Sequence, residues 1–265
     1  MRGHRMRVSA ETNEQRHPRR ACIAGAMAAL VFSVLSLLLA SCSGQLEAAV
    51  RSDGSVRAEI SLSVPSALGS RVRQFAGIPA SEALFNPELV RKEFAERKGV
   101  SLLSISAPSG ESLNSVIQVS DLAALVADTK TVPEGMIQYR YIPPRNALAA
   151  MRELTVRIDR TNAAYMLKLF PGVNRKIIDS LSPPALEPDP VSAAEYRLNL
   201  EQVIIGPKNM PAFDACMVEL KISTPKPIVI VTGGTFSGQV FRVKIPLFDL
   251  LTLEKPVEFS LRWID

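Results

Sequence analysis

Apolar and polar side chains alternate with a period of two in many stretches of this chain, the pattern of β-strands with one buried face. Near the N-terminus the alternation covers 46–50 and 56–64, with Ser52-Asp53-Gly54-Ser55 between them. Because Asp-Gly tolerates the positive φ angles of a tight turn, this part predicts a β-hairpin. Further strand-like stretches occupy 100–107, 115–119, 137–141, 154–158, 216–222, 228–231, 241–245 and 259–263.

Helical patterns lie between the strand-like stretches. Leu68, Val72 and Phe75 recur at the spacing of one helix face and predict a helix over 66–77. Asn86-Pro87-Glu88 predicts another helix start: Asn86 can cap the helix, the ring of Pro87 presets a helical φ angle, and Glu88 puts an acid in the first turn. These helices separate the first hairpin from the later strands.

The middle of the chain is the most helical part. Ser120 is positioned to cap a short helix, and 162–204 has mostly helical spacing, with a capping box at Ser192-Ala193-Ala194-Glu195. The order predicts an α+β fold, in which N- and C-terminal strands form antiparallel sheets with helices inserted between them. We expect the first and last strands to share one sheet system, and 46–265 to form a single domain.

The N-terminal segment has the organisation of an export signal. Residues 1–20 are rich in arginine, 21–40 carry no charge, and Leu39-Ala40-Ser41-Cys42 follows at the end of the apolar run. These four residues resemble the bacterial lipobox. The resemblance implies a thioether between Cys42 and diacylglycerol, and cleavage just before Cys42. An uncleaved membrane helix is the alternative, because about 20 apolar residues can span a bilayer.

Lipidation of Cys42 would divide the chain into a signal peptide over 1–41, a lipidated tether over 42–45 and a domain over 46–265. Several acyl chains on one residue give stable anchoring, at about 0.8 kcal/mol per buried methylene. The expected location is the bacterial cell envelope, with the membrane as partner through acyl chains such as palmitate. Ser43 stands where an aspartate would act as a retention signal, so we expect the outer membrane rather than the inner one.

Charge and histidine content exclude several functions. The net charge is +5, but six arginines and two glutamates lie within 1–41, so their removal leaves +1 and no electrostatic basis for nucleic-acid binding. His4 and His17 are the histidines of the sequence. A mature chain without them cannot form a Ser-His-Asp catalytic triad or a zinc site with histidine ligands. Carboxylate pairs, Ser-Lys dyads and lysine or tyrosine chemistry remain; we predict no catalytic residue, cofactor or metal.

The sequence has three cysteines: Cys22 in the signal, Cys42 in the lipobox and Cys216. A mature chain lipidated at Cys42 has no intramolecular disulfide to form. Cys216 is in phase with the apolar residues of its strand, so we expect a buried, inert thiol rather than a nucleophile.

Three other stretches carry a candidate chemistry. The glycines of 233–238 suggest a phosphate loop, but a strand rather than Lys and a helix follows, which favours a hairpin or edge loop. Glu187-Pro188-Asp189-Pro190 with Asp179 lacks calcium-loop spacing and favours a solvated loop. Basic residues of two neighbouring helices could meet anionic headgroups or form a mixed solvated face: Arg71, Arg73, Arg91, Lys92, Arg97 and Lys98.

A lipobox cysteine, a short tether and a hairpin with Ser52-Asp53-Gly54-Ser55 at its turn resemble the start of LppM-type envelope lipoproteins. The resemblance implies an α+β domain on a membrane, with a lipid- or glycolipid-binding cavity. Our leading hypothesis is a non-enzymatic lipoprotein that binds lipid or envelope proteins as a binding or scaffolding module. The alternatives are a carrier with an internal apolar cavity and an envelope hydrolase that uses paired carboxylates.

Overall fold

Strands from both halves of the chain build two sheets in the computed structural model, which describes residues 42–144, 149–169 and 172–265. Within that part of the chain, the larger sheet has the order β3-β4-β2-β1-β7-β10-β9. Its strands are β1 Ser43–Val50, β2 Val56–Ser63, β3 Val100–Ser106, β4 Ser112–Val119, β7 Met217–Ser223, β9 Thr235–Ser237 and β10 Val240–Pro246. The smaller sheet has the order β5-β6-β11-β8, with strands Ile137–Ile142 (β5), Met151–Ile158 (β6), Val257–Ile264 (β11) and Ile228–Thr232 (β8).

Strand β1 lies in the middle of the larger sheet. It forms the predicted antiparallel hairpin with β2, where Gly54 takes a φ of 83°, and it pairs in parallel with β7 on its other side. Every second residue of β1 points to the buried face, while the opposite face carries ion pairs such as Lys221 Nζ to Glu47 Oε2 at 2.8 Å. The alternation in the sequence therefore corresponds to one apolar and one solvated face.

Short helices connect and flank the sheets. They are α1 Ser66–Phe75, α2 Pro87–Ala95, α3 Leu122–Ala127, α4 Ala163–Leu169, α5 Arg175–Leu181, α6 Ala193–Asn199, α7 Met210–Asp214 and α8 Leu247–Thr252, and a π-helical turn over Leu200–Ile204 continues α6. Asn86 caps α2 and Ser192 caps α6, as predicted. Asp121 rather than Ser120 caps α3: its carboxylate accepts from two backbone N–H groups, whereas the Ser120 hydroxyl donates to the Gly99 carbonyl.

Three hydrophobic clusters hold the described elements together, and the two larger ones are the sheet core and the helical cluster. The sheet core lies between the two sheets and includes the fully buried Phe241, Phe259, Leu261 and Trp263, with the Phe241 and Phe259 rings stacked at 5.4 Å. The helical cluster lies where helices pack on one end of the larger sheet. Its buried members are Leu68, Tyr196, Leu200, Ile204, Ile205, Met210, Phe213 and Cys216.

The α+β fold with mainly antiparallel sheets and inserted helices is confirmed. Two details differ from the expectation. The last strand, β11, does not share a sheet with β1 but lies in the smaller sheet, where it pairs with β6 and β8. Its alternate residues Phe259, Leu261 and Trp263 belong to the same sheet core as the buried residues of the larger sheet. Residues 43–45, expected in a tether, are the beginning of β1 and pair with both neighbouring strands.

Candidate functional site: the Cys42 end of the larger sheet

Cys42 lies directly at the start of the folded unit. Leu39, Ala40 and Ser41 of the lipobox motif lie outside the described residues, and Cys42 is the first residue that the structure describes. Its carbonyl oxygen accepts a hydrogen bond from the Met217 backbone N–H at 3.3 Å, and Ser43 already pairs with Met217 in the parallel ladder. The backbone of Cys42 is therefore fixed to β7.

The side chain of Cys42 is half-buried and lies beside Cys216, the residue before β7. The parallel register of Ser43 with Met217 brings the two preceding residues, both cysteines, next to each other. The two side chains pack in the same helical cluster, where Cys216 Sγ donates to the Ala212 carbonyl oxygen at 3.4 Å. Sequence patterns did not indicate this pair, because nothing local to Cys42 shows that β1 has β7 as a neighbour.

Ionisation of the two thiols is unequal. A hydrogen bond from Cys216 favours the thiolate of Cys42 and lowers its pKa, although burial acts in the opposite direction. The hydrogen bond to Cys42 and burial both raise the pKa of Cys216. Cys216 is 2% exposed, so the expectation that it is buried is confirmed. Ionisation is therefore more favourable for the Cys42 thiol than for the Cys216 thiol.

Helices α7 and α8 enclose this position. The Leu247 N–H at the start of α8 donates to the Cys216 carbonyl oxygen at 2.9 Å, which places α8 against the cysteine pair. Side chains from both helices share the helical cluster with Cys42 and stay partly exposed: Ala212, Leu247, Phe248 and Leu251. The sequence analysis missed both helices, because each is too short to show a helical period.

Arg197 and Asp214 form the polar rim beside these helices. The guanidinium makes two hydrogen bonds of 2.8 Å to the carboxylate, which keep the pKa of Asp214 below its usual range. The same guanidinium lies 5.7 Å from the ring centroid of Phe248, whose other neighbour is the Tyr196 ring. The rim is therefore a neutralised ion pair on an aromatic surface.

The glycine-rich stretch 233–238 is an edge turn, as the sequence favoured. Gly233 takes a φ of 69° and β9 follows it directly. A Cβ on Gly234 would lie 2.4 Å from Cζ of Phe241, so this glycine lets the backbone pass closely over a buried ring. Close packing accounts for these glycines without a phosphate.

The basic residues of α1 and α2 divide into different environments. Arg73 is buried and binds Glu111 at 2.6 Å, so it is not available to headgroups, whereas Arg91 pairs with Glu88 on the surface. An open groove of about 710 Å³ lies between α2 and β3, and its lining includes Phe94 and Leu102 as well as Arg91 and Arg97. The Arg97 guanidinium lies 4.7 Å from the Phe94 ring centroid, and burial lowers its pKa.

Two further sequence expectations concern metals and membrane spans. Among residues 42–144, 149–169 and 172–265, no group of three or more His, Cys, Asp or Glu side chains is arranged to hold a metal ion, and this includes Asp179, Glu187 and Asp189. In the same part of the chain, no helix is both long and apolar enough to cross a membrane. The apolar run 21–40 lies outside it.

No protein-family model matches this chain, and no curated protein matches it. Among solved structures, it is similar to the folded domain of LppM from Mycobacterium tuberculosis, at 12% identity and a TM-score of 0.36, over 84% of this chain and 89% of that one. Yeast LTA4 hydrolase in complex with bestatin is similar at 10% identity and a TM-score of 0.29, over 85% of this chain and 28% of the hydrolase. We derive no function from likenesses with TM-scores below 0.5.

Proposed function

We propose that this protein is a cell-envelope lipoprotein that acyl chains on Cys42 hold to a membrane, where it acts as a binding or scaffolding module and not as an enzyme. One observation carries the proposal. The lipobox places the cut between Ser41 and Cys42, and the first strand of the described domain, β1, begins at Ser43, just after that cut. Cleavage there would remove the signal and leave every strand of the described domain intact.

Two described carboxylates, Asp159 and Asp214, have an ionisation unlike that of a general acid. A general acid needs a raised carboxyl pKa. The Thr161 hydroxyl and the Arg197 guanidinium instead lower the pKa of Asp159 and Asp214 by hydrogen bonding to the charged forms. These groups are structural carboxylates that remain ionised at neutral pH.

Labelled palmitate tests the proposal in a bacterial host that expresses the full chain. Wild type should incorporate the label and lose its signal, whereas Cys42→Ser should remain an unlabelled precursor. Cys216→Ser is the matched control, since it removes the neighbouring thiol and should keep both label and cleavage. Normal labelling of Cys42→Ser would refute the proposal. Fractionation of labelled cells then tests the outer membrane location, which rests on Ser43 at the position after the cysteine.

The groove between α2 and β3 favours a second function, the binding of a lipid or another apolar ligand. Its lining mixes apolar residues such as Phe94 and Leu102 with Arg91 and Arg97, a combination that suits a ligand with an apolar chain and an anionic head. Between the sheets, by contrast, Phe241, Phe259 and Trp263 fill the interior. Native mass spectrometry of the purified domain should detect a copurified lipid if the groove carries one, and a Leu102→Glu variant should lose it.

A further inference from the structure

The position of Cys42 determines how close a lipid anchor would hold the domain to the bilayer. Lipoprotein domains can follow their cysteine after a tether, but here Ser43 is already paired with Ser63 on one side and Met217 on the other. The carbonyl oxygen of Cys42 is itself hydrogen-bonded to β7. No length of chain therefore separates an acylated sulfur from the sheet.

One end of the larger sheet surrounds Cys42. The register places the start of β1 beside the end of β2 and the start of β7, and Met217 beside Pro246 at the end of β10. The exposed Met217, at 38%, lies at this end, together with the half-exposed Leu247, Phe248 and Leu251 of α8. Apolar side chains thus form a collar around the anchor position.

Charge near the collar is limited. Arg197 neutralises Asp214 at the rim. Asp249 is exposed on α8, two residues from both Leu247 and Leu251, which puts it on the opposite side of that helix. The apolar collar therefore meets no unpaired carboxylate of its own helix face, and a membrane interface accepts such a surface.

We propose that the bilayer itself covers this end of the domain, with Met217, Phe248 and Leu251 at the boundary between headgroups and acyl chains. The inference rests on the proposed lipidation of Cys42, because a bilayer held without a tether leaves no room for a protein partner at the same surface. It also sets an orientation. Strand β1 runs away from the anchor for 8 residues, so the turn at Ser52 lies about 26 Å along the strand from the membrane.

Depth-dependent quenching tests this orientation in the lipidated full chain. A thiol-reactive fluorophore is attached to Met217→Cys in vesicles of phosphatidylethanolamine and phosphatidylglycerol with brominated acyl chains. The native thiols do not compete, since Cys42 would be a thioether and Cys216 is buried. Phe236→Cys is the matched control: that side chain is also apolar and 43% exposed, but it pairs near the start of β10, away from Pro246. Ser52→Cys is the second control.

Quenching at position 217 should exceed that at 236 and 52 by about threefold or more, because interfacial side chains reach about 5–10 Å into the headgroup–acyl boundary. A fluorophore on Leu251→Cys should be quenched as strongly as one on Met217→Cys, which would show that the result does not depend on a single substituted position. Equal quenching at all positions overturns the inference. Protection of 217 from both brominated lipid and aqueous iodide also overturns it, since a protein would then cover the collar. Palmitate labelling of the same samples separates the two proposals. If the protein carries no label, both the lipidation of Cys42 and the membrane contact are refuted. If the protein is labelled but position 217 is not quenched, only the membrane contact is refuted.

Discussion

The sheet core and the helical cluster are built in opposite ways. In the sheet core, large side chains such as Phe241 and Trp263 are removed from solvent and join two sheets whose strands come from distant parts of the chain. In the helical cluster, short helices pack around the cysteine pair, and Phe248 and Leu251 stay partly exposed. The comparison indicates a division of roles: the first cluster stabilises the fold, and the second holds Cys42 at a fixed position on the surface.

Removal of the Phe241 side chain should have the largest effect, because it opens a cavity in the sheet core. Phe241 is 0% exposed and stacks on Phe259. Phe241→Ala should lower the free energy of unfolding by about 3–5 kcal/mol, measured by urea denaturation of the domain without its signal. Phe236→Ala, on the exposed neighbour across β9 and β10, should change it by less than about 0.5 kcal/mol. Similar values for the two variants would contradict the role of the sheet core.

The coupling between the two clusters can be tested at α1, which contributes Leu68 to the helical cluster and Val72 to the rim of both. Arg73 fixes this helix: it is buried, binds Glu111 at 2.6 Å and donates to the Glu82 carbonyl oxygen at 2.7 Å.

Arg73→Ala should lower the free energy of unfolding by about 2 kcal/mol, less than for a fully buried pair because Glu111 keeps some access to water. Arg71→Ala, on the exposed side of the same helix, should have little effect. If the two arginine variants unfold at the same urea concentration, the buried ion pair does not join the clusters.

The smallest effect is expected at Cys216, inside the helical cluster. Cys216→Ala should lower the free energy of unfolding by about 1 kcal/mol through lost packing, and palmitate labelling of Cys42 should persist. The raised pKa of Cys216 keeps the thiol protonated in the folded state above about pH 8.5, where an ordinary thiol ionises. The protonated Cys216 thiol therefore makes its full contribution to the stability of the folded state at neutral pH. This contribution is lost as pH rises above the ordinary thiol pKa towards the raised pKa of the folded state.

Thiol-reagent kinetics at pH 7 and pH 9 check this ionisation in the native protein. Cys216 should react slowly at both values, and quickly only after denaturation. Rapid native labelling, or loss of ligand binding in a folded Cys216→Ala protein, would show that the thiol is exposed or functional and would return the enzyme hypothesis to consideration.

Local patterns predicted much of the fold. The hairpin around Gly54 and the caps at Asn86 and Ser192 are encoded within a few residues, and all three are present in the structure. Ser120 was the wrong cap, because Asp121 next to it offers a carboxylate at the position where the helix N–H groups converge. A choice between two adjacent capping residues depends on backbone direction, which the sequence pattern does not contain.

Long-range pairing could not be predicted in the same way. The alternation of β1 suits any neighbour, so nothing in it indicates β7, and the adjacency of Cys42 and Cys216 follows only from that pairing. The assignment of β11 to the second sheet has the same cause. Cys42 itself was identified from a short motif, whereas the apolar collar around it is assembled from two distant stretches of chain, at Met217 and in α8.

The parallel pairing of β1 with β7 also affects the order of events during synthesis and export. Glu47 and Lys221 meet across this pair although 174 residues separate them, so the middle of the larger sheet cannot close until most of the chain has emerged. Until then the position beside Cys216 does not exist, and the thiol of Cys42 stands free in an unfolded N-terminal segment. A modifying enzyme would thus act on an accessible cysteine first, and completion of the sheet would afterwards fix the backbone of the modified residue beside β7.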